Sequence, residues 1–143
     1  MQASWKLETE RALRAAGHRS GGARTAVIDV LAAQDCCAGA QEIHDALRAG
    51  GRPVGIASVY RVLELLTELR LLQRIEVGDG IARFEPIAGS DHHHHVVCDD
   101  CGRVEPFSDP ALERAILGAS GRLDFTIGAH EVVLRGECAD CRT

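Results

Sequence analysis

The sequence predicts an α+β protein: an N-terminal winged helix-turn-helix domain followed by a small C-terminal α/β domain with a four-cysteine zinc clip. Three observations support this prediction: helical periodicity through the first half, a hairpin pattern after it, and two Cys-x-x-Cys pairs. With 143 residues and 45% apolar content, the chain can form two small domains with buried cores. The stretch AGSD breaks the pattern, so we place the domains at residues 1–87 and 88–143.

Four stretches of the first half show the apolar spacing of amphipathic helices. They are residues 7–16, 24–34, 40–51 and 58–72. We expect Gly17 to end the first helix and Ser58 to cap the last. The strand-like stretches QRIEV and IARFEP, separated by GDG, predict a β-hairpin. Helices followed by a hairpin are typical of a winged helix-turn-helix.

The second half predicts three strands and one helix. Strands are expected through HHHHVVC, near residues 103–107, and over a long stretch at 124–138. A helix is expected from Pro110 to about Gly118, because proline suits a first helical turn and Asp109 can serve as its N-cap. These elements predict a cysteine-clipped α/β domain.

Charge and composition narrow the class of protein. Residues 1–62 carry eight basic and six acidic groups, whereas residues 89–143 carry five basic and ten acidic groups. DNA, a polyanion, would bind residues 1–62 in preference. A solvated charged surface explains their small excess of positive charge equally well. No apolar run approaches a membrane span, and the first residues lack a secretion signal, so we expect a cytoplasmic protein without membrane contact. There, six cysteines indicate metal ligands or reactive thiols before disulfides.

Two Cys-x-x-Cys pairs predict a structural metal site. They are formed by Cys98 with Cys101 and by Cys138 with Cys141. Four thiolates around one Zn²⁺ form a closed tetrahedral site, which here would staple the end of the last strand to the start of the domain. Two redox dithiols or four buried free cysteines are the alternatives.

The run of four histidines has a simple geometric interpretation. If the run is extended, His92 and His94 face one way while His93 and His95 face the other. Each His-x-His pair can chelate one metal, so a single strand can serve two sites. The alternative is a solvated histidine patch that binds metal incidentally.

The motifs HHHHVVCDDCG, IASVYRVL and the final CADC together resemble the ferric uptake regulator family of dimeric metalloregulators. The resemblance extends from about Leu7 to Cys141 and implies a homodimer that binds double-stranded operator DNA. It also implies a recognition helix that begins at Ser58 and reads DNA through Tyr60 and Arg61. Core packing is the alternative role for Tyr60.

The resemblance implies further basic contacts with DNA. Arg19 and Arg24 match an Arg-x-Thr-x-x-Arg motif, which here has Gly21 in place of threonine. This departure removes an expected N-cap hydroxyl from the second helix, although Ser20 is adjacent.

Two further ligand sets follow from the resemblance. The regulatory metal would be held by Cys37, Glu85, His93 and His95. Cys36, the neighbour of Cys37, is an alternative thiol ligand. A second metal site in the dimerisation domain would use His92, His94, Glu113 and His130.

These assignments predict a metal-dependent transcriptional repressor with structural Zn²⁺ and a regulatory Zn²⁺ or Fe²⁺. A thiolate ligand favours zinc over iron, and a peroxide sensor is a third alternative. An enzyme with a small-molecule substrate is not expected, because the HExxH and His-x-Glu signatures of zinc enzymes are absent. A metal store or chaperone would have no use for a winged helix.

Overall fold

The computed structural model describes residues 2–19, 21–87 and 92–142. The chain divides into two compact units, Met1–Ser90 and Asp91–Thr143. The stretch AGSD, on which the domain boundary was predicted, lies outside the described residues. Among the described helices, none has the length and apolar character that a membrane span requires.

The N-terminal unit consists of four helices and a small antiparallel sheet. The helices are α1 (Gln2–Ala15), α2 (Gly22–Ala33), α3 (Ala40–Ala49) and α4 (Ile56–Glu68). The strands are β1 (Ala38–Gly39), β2 (Leu72–Glu76) and β3 (Ala82–Pro86). The sheet order is β1-β3-β2, and β2 and β3 form the predicted hairpin. This unit has the predicted winged helix-turn-helix architecture.

The core of this unit lies where the apolar faces of α2, α3 and α4 meet. Leu31, Ile43, Leu63 and Leu66 are fully buried there, one or two from each helix. Their spacing along each helix is the one that predicted the helices, so burial of these faces explains why the segments fold as they do.

The first helix is fastened to the hairpin by a tryptophan. Trp5 is 1% exposed, and its Nε1 donates a hydrogen bond to the carbonyl oxygen of Leu71 at 2.8 Å. The same oxygen accepts from the backbone N–H of Ile87 at 3.0 Å. On the surface, Lys6 pairs with Asp29 at 2.7 Å and so links α1 to α2. Helix α1 is therefore an integral part of the N-terminal unit.

Two predicted helix ends can be compared with the structure. Gly17 follows α1 with φ of +85°, and the N–H of His18 bonds the carbonyl of Leu13 at 2.9 Å, as expected for a glycine stop. The predicted cap at Ser58 is wrong, because α4 begins at Ile56 and Gly55 is its N-cap. Gly55 has the extended backbone of a cap residue, so the helix starts earlier and Ser58 lies in its first turn.

The C-terminal unit is a three-stranded sheet with one helix. Its elements are β4 (His94–Cys98), β5 (Val104–Phe107), α5 (Pro110–Ser120) and β6 (Val133–Gly136). Strand β4 is central, antiparallel to β5 and parallel to β6. The predicted cap of α5 is confirmed: Oδ1 of Asp109 accepts hydrogen bonds from the N–H groups of Ala111 and Leu112, at 2.8 and 3.2 Å.

The long strand predicted at 124–138 is wrong in extent, since only Val133–Gly136 forms a strand. Strand β6 pairs with residues 95–98 of β4, and β4 itself begins at His94. Among the described residues of this unit, those before Val133 thus have no further strand beside them with which to form a ladder. Phe125, which is 78% exposed, and Ile127 give that stretch the alternating apolar pattern that led to the prediction.

Substitution of Trp5 tests the fastening of α1. We expect Trp5→Ala to lower the free energy of unfolding by about 3–5 kcal/mol, the usual cost of emptying a buried aromatic site. Trp5→Phe should cost only ~1 kcal/mol beyond the loss of ring volume, because the Leu71 carbonyl keeps its bond from Ile87. Urea denaturation followed by circular dichroism measures both, and equal losses would show that the hydrogen bond dominates.

Candidate metal centres

The four predicted cysteine ligands converge at one end of the C-terminal unit. Their sulfur atoms lie within 4.8 Å of one another. Strand β4 delivers Cys98, and a tight turn closed by Gly102 N–H to the Cys98 carbonyl, at 2.9 Å, brings back Cys101. Gly102 has φ of +76°, a conformation that favours glycine. The second pair follows β6, and the Cys138 N–H points at Cys98 Sγ at 3.4 Å. Such a cluster fits a tetrahedral Zn²⁺ site.

Electrostatics of this cluster also favour a cation. Backbone N–H groups of Cys101 and Cys138 lower the pKa of Cys98 to about 6, so this sulfur is ready to ionise. Hydrogen bonds from Cys138, Cys101 and Cys98 raise the pKa of Cys141, because a further negative charge beside them is unfavourable. Four thiolates therefore need a positive ion, and all described cysteines are free thiols.

A second cluster joins strand β4 to helix α5. Its members are His92, His94, Glu113 and His130, whose ligand atoms lie within 4.8 Å of one another. Nε2 of His130 is 2.7 Å from Glu113 Oε2 and 3.1 Å from His92 Nε2, and Nε2 of His94 contacts Glu113 Oε1. The two residues predicted from the resemblance, Glu113 and His130, thus lie beside the histidine pair.

The ring of His94 is held firmly in this cluster. It is fully buried, it contacts the ring of Phe107, and its Nδ1 accepts from the N–H of Val132 at 3.1 Å. That bond turns Nε2 toward Glu113. Hydrogen bonds from His94 and then His130 lower the pKa of Glu113, so the carboxylate is charged at neutral pH.

The other two histidines of the run form a separate pair. The ring centroids of His93 and His95 are 4.9 Å apart, and those of His92 and His94 are 4.8 Å apart. The alternation predicted for an extended run is therefore confirmed. His95 is buried. The His93–His95 pair can supply two imidazole ligands, which is one half of the predicted regulatory site.

The N-terminal unit contains a buried carboxylate beside a thiol. Cys36 Sγ donates to Glu85 Oε2 at 3.3 Å, and Gln73 Nε2 donates to Glu85 Oε1 at 2.6 Å. The predicted thiol ligand was Cys37, with Cys36 as the alternative, and the geometry favours Cys36. Chain position identifies the segment that supplies the thiol, but the bend at residues 35–36 decides which sulfur meets Glu85.

Gln73 was missed by the sequence analysis. It pairs directly with Glu85 across the hairpin, and the register of a hairpin centred on GDG could have revealed that contact. Around Cys36, hydrogen bonding with Cys37, burial and the nearby Glu85 all raise the pKa of its thiol. The thiol therefore keeps its proton until a metal replaces it.

Helix α4 presents a polar face to solvent beside its buried face. Tyr60 is 49% exposed, so the alternative interpretation, that its side chain packs in the core, is wrong. Arg61 is also exposed, and its Nη2 donates to Ser58 Oγ at 2.8 Å. Of the three residues predicted to contact DNA on this helix, Tyr60 and Arg61 are exposed and Ser58 is half-buried.

The basic residues Arg19 and Arg24 lie close together at the start of α2. Arg24 Nη1 donates to the backbone carbonyl of Arg19 at 2.8 Å. Gly21 is the N-cap of α2 and makes no side-chain cap bond, as the missing threonine implies, while Ser20 lies outside the described residues.

Comparisons with known proteins agree on one family. Residues 15–135 match the protein family described as "Ferric uptake regulator family". The chain is 31% identical over 137 residues to the ferric uptake regulation protein of Bordetella parapertussis, covering 95% of this chain and 98% of that relative. It is 27% identical over 135 residues to the peroxide-responsive repressor PerR of Staphylococcus aureus, covering 94% and 90%. The crystal structure of the Vibrio cholerae ferric uptake regulator matches with a TM-score of 0.78 at 31% identity, covering 90% of this chain and 98% of that chain.

The four-cysteine cluster gives a direct prediction. Cys98→Ser should remove one tightly bound zinc per chain and lower the melting temperature of the C-terminal unit by more than about 10 °C, since metal binding and folding are coupled. Metal analysis after dialysis and calorimetry measure these quantities. Cys36→Ser is the matched control and should keep this zinc. A Cys98→Ser protein with unchanged zinc and melting temperature would exclude the site.

Proposed function

The chain belongs to the ferric uptake regulator family, and on that premise we propose that it is a homodimeric, zinc-dependent repressor of transcription. Members of this family are metal-dependent transcriptional regulators rather than enzymes. The observation that carries the choice of zinc is the hydrogen bond between the thiol of Cys36 and Glu85. In this proposal the protein acts in the cytoplasm on double-stranded operator DNA, without a small-molecule substrate or a membrane partner.

A structural Zn²⁺ would be held by the four cysteines of the C-terminal unit. Convergence of the four sulfur atoms and the low pKa of Cys98 support this assignment. The ion would compensate for the small hydrophobic core of this unit, in which helix α5 has no fully buried residue.

The regulatory metal is proposed to take its ligands from both units. The N-terminal unit offers Cys36 and Glu85, and the C-terminal unit offers the His93–His95 pair. Bound metal would act as a ligand with different affinities for different domain arrangements and would favour the arrangement competent for DNA. Other parts of the chain would hold the ligands in position. Gln73 orients Glu85, and strand β4 orients the imidazoles of His93 and His95.

Zinc is favoured for this site because a thiolate suits zinc better than iron or manganese. An iron-responsive repressor is the second candidate, since two imidazoles and a carboxylate also suit Fe²⁺ and the B. parapertussis relative is named for ferric uptake. A peroxide sensor comes third. The S. aureus relative carries that name, but a buried protonated thiol beside Glu85 adds a sulfur ligand to the site.

DNA reading is assigned to helix α4. Tyr60 and Arg61 are exposed there and can reach base edges and phosphates in the major groove. Ser58 would hold the Arg61 guanidinium in place, while Arg19 and Arg24 would contact the phosphate backbone. In a homodimer, two such helices related by a two-fold axis would read a palindromic operator.

The cluster of His92, His94, Glu113 and His130 is proposed as a second metal site of the C-terminal unit. Charged Glu113 and the fixed ring of His94 support it. Occupation of this site would stabilise the packing of α5 against β4 and thereby tune the dimer.

The two histidine faces can be separated by mutation. We expect His93→Ala and His95→Ala to abolish zinc-dependent operator binding while the dimer persists. His92→Ala and His94→Ala should act more weakly, on affinity or dimer stability, because they serve the other cluster. A zinc titration of operator binding, repeated with Fe²⁺ and Mn²⁺, measures this for each variant. One shared phenotype for all four variants would refute two separate sites, and a response to Fe²⁺ alone would favour the iron regulator.

The choice between the two cysteines is tested in the same assay. Cys36→Ser should behave like His93→Ala, whereas Cys37→Ser should retain at least part of the zinc response. The reverse order would restore Cys37 as the ligand, and a normal zinc response in both would remove the argument for zinc over iron.

The DNA-reading helix has its own test. Tyr60→Ala and Arg61→Ala should each weaken specific operator binding by about 1–3 kcal/mol, with dimer and metal content unchanged. Arg19→Ala should weaken binding to all sequences and reduce the salt dependence, as a phosphate contact does. Arg122→Ala, an exposed arginine of the other unit, is the control. Unchanged operator affinity in both helix variants would place the reading surface elsewhere.

A further inference from the structure

Gln73 lies directly opposite Glu85 in the antiparallel pairing of β2 with β3. The side chains of such a pair stand on the same face of the sheet and close to one another. Here Nε2 of Gln73 donates a hydrogen bond to Oε1 of Glu85 at 2.6 Å. Gln73 is exposed and Glu85 is buried, so an amide at the surface holds one oxygen of a buried carboxylate.

The second oxygen of Glu85 faces a different group. Oε2 accepts the hydrogen bond from Sγ of Cys36 at 3.3 Å. The glutamine and the cysteine therefore contact the carboxylate through different oxygens. An ion that binds beside the thiol meets Oε2, while the amide engages Oε1. Hydrogen bonds of this kind orient a metal-binding carboxylate and are part of what sets the behaviour of a metal site.

The number of oxygens that Glu85 offers has a consequence for the choice of metal. A carboxylate can bind an ion through one oxygen or through both. Binding through Oε2 alone would complete a tetrahedral set with Cys36, His93 and His95, the arrangement that Zn²⁺ adopts in most protein sites. Binding through both oxygens would add a further ligand and suit the larger coordination number of Fe²⁺ and Mn²⁺.

We propose that Gln73 determines the metal selectivity of the regulatory site by restricting Glu85 to binding through one oxygen, which favours Zn²⁺ over Fe²⁺ and Mn²⁺. This inference rests on the regulatory site of the proposed function and adds a positioning residue that is not itself a ligand. The thiolate and the amide then act in the same direction. The thiolate favours zinc because sulfur is a soft ligand, and the amide favours zinc through the coordination number.

Cobalt(II) reports the coordination number directly, because tetrahedral Co²⁺ absorbs visible light far more strongly than Co²⁺ with more ligands. The full-length protein, with zinc in its four-cysteine cluster, is titrated with Co²⁺. A Glu113→Ala background prevents competition from the other histidine cluster. With Gln73 present, we expect strong tetrahedral absorption and a thiolate-to-cobalt band. Gln73→Met has a side chain of similar length that cannot donate, so it should keep the thiolate band and lose most of the tetrahedral absorption.

Operator binding gives a second measurement. The preference for zinc is the ratio of the Mn²⁺ and Zn²⁺ concentrations at half-maximal operator binding. Gln73→Met should lower this ratio on the order of 10-fold, the usual effect of removing a partner of a metal ligand. Arg74→Met is the matched control and should leave the ratio unchanged, because Arg74 is the next residue of β2, is exposed and pairs with Glu76. Gln73→Lys restores an N–H donor of similar reach and should keep the tetrahedral spectrum.

Three outcomes would overturn the role of Gln73. They are strong tetrahedral absorption in Gln73→Met, weak absorption in the protein that retains Gln73, and a Gln73→Lys variant that behaves like Gln73→Met. Circular dichroism and zinc content check that each variant is folded. The repressor proposal fails separately: operator binding that ignores metal, together with a cobalt spectrum that depends on Gln73, would contradict the repressor and support the role of Gln73.

Discussion

The position of β4 between β5 and β6 is the constraint on which the chemistry of the C-terminal unit depends. Antiparallel pairing on one side and parallel pairing on the other fix its register. Alternation along the strand then separates His92 and His94 from His93 and His95, and the strand ends at Cys98, where the cysteine cluster begins. A slip of one residue would exchange the two histidine faces and displace Cys98 from its partners. Three groups of candidate metal ligands thus rely on one backbone register.

Local patterns were enough to predict much of this molecule. Helical spacing, the hairpin around GDG, the cap at Asp109 and the convergence of two Cys-x-x-Cys pairs each depend on neighbours in sequence. The failures have causes that the residue pattern alone does not reveal. The length of β6 is set by its partner β4, and the sulfur that meets Glu85 is chosen by the bend at residues 35–36. The prediction that Ser58 caps α4 was wrong because Gly55, three residues earlier, has the extended backbone of the N-cap.

The cysteines occupy two contrasting electrostatic environments. Backbone N–H groups lower the pKa of Cys98, whereas Cys37, burial and Glu85 raise the pKa of Cys36. A metal ion that bound Cys36 would have to displace a proton, whereas the sulfur of Cys98 is largely ionised at neutral pH, so the cost of binding would differ between the two. In the proposed function, this difference in proton affinity would suit a permanently bound structural ion at Cys98 and a reversibly bound regulatory ion at Cys36.

The buried ring of Trp5 makes intrinsic fluorescence report on one of the two units. The chain has one tryptophan and one tyrosine, Trp5 and Tyr60, and both belong to the N-terminal unit. Tryptophan and tyrosine fluorescence therefore originates entirely from the unit that holds helix α4. The indole emits from an apolar site with its N–H bonded to a carbonyl, so its spectrum will shift to the red when α1 detaches. The C-terminal unit contains neither tryptophan nor tyrosine, so unfolding confined to that unit leaves this fluorescence unchanged.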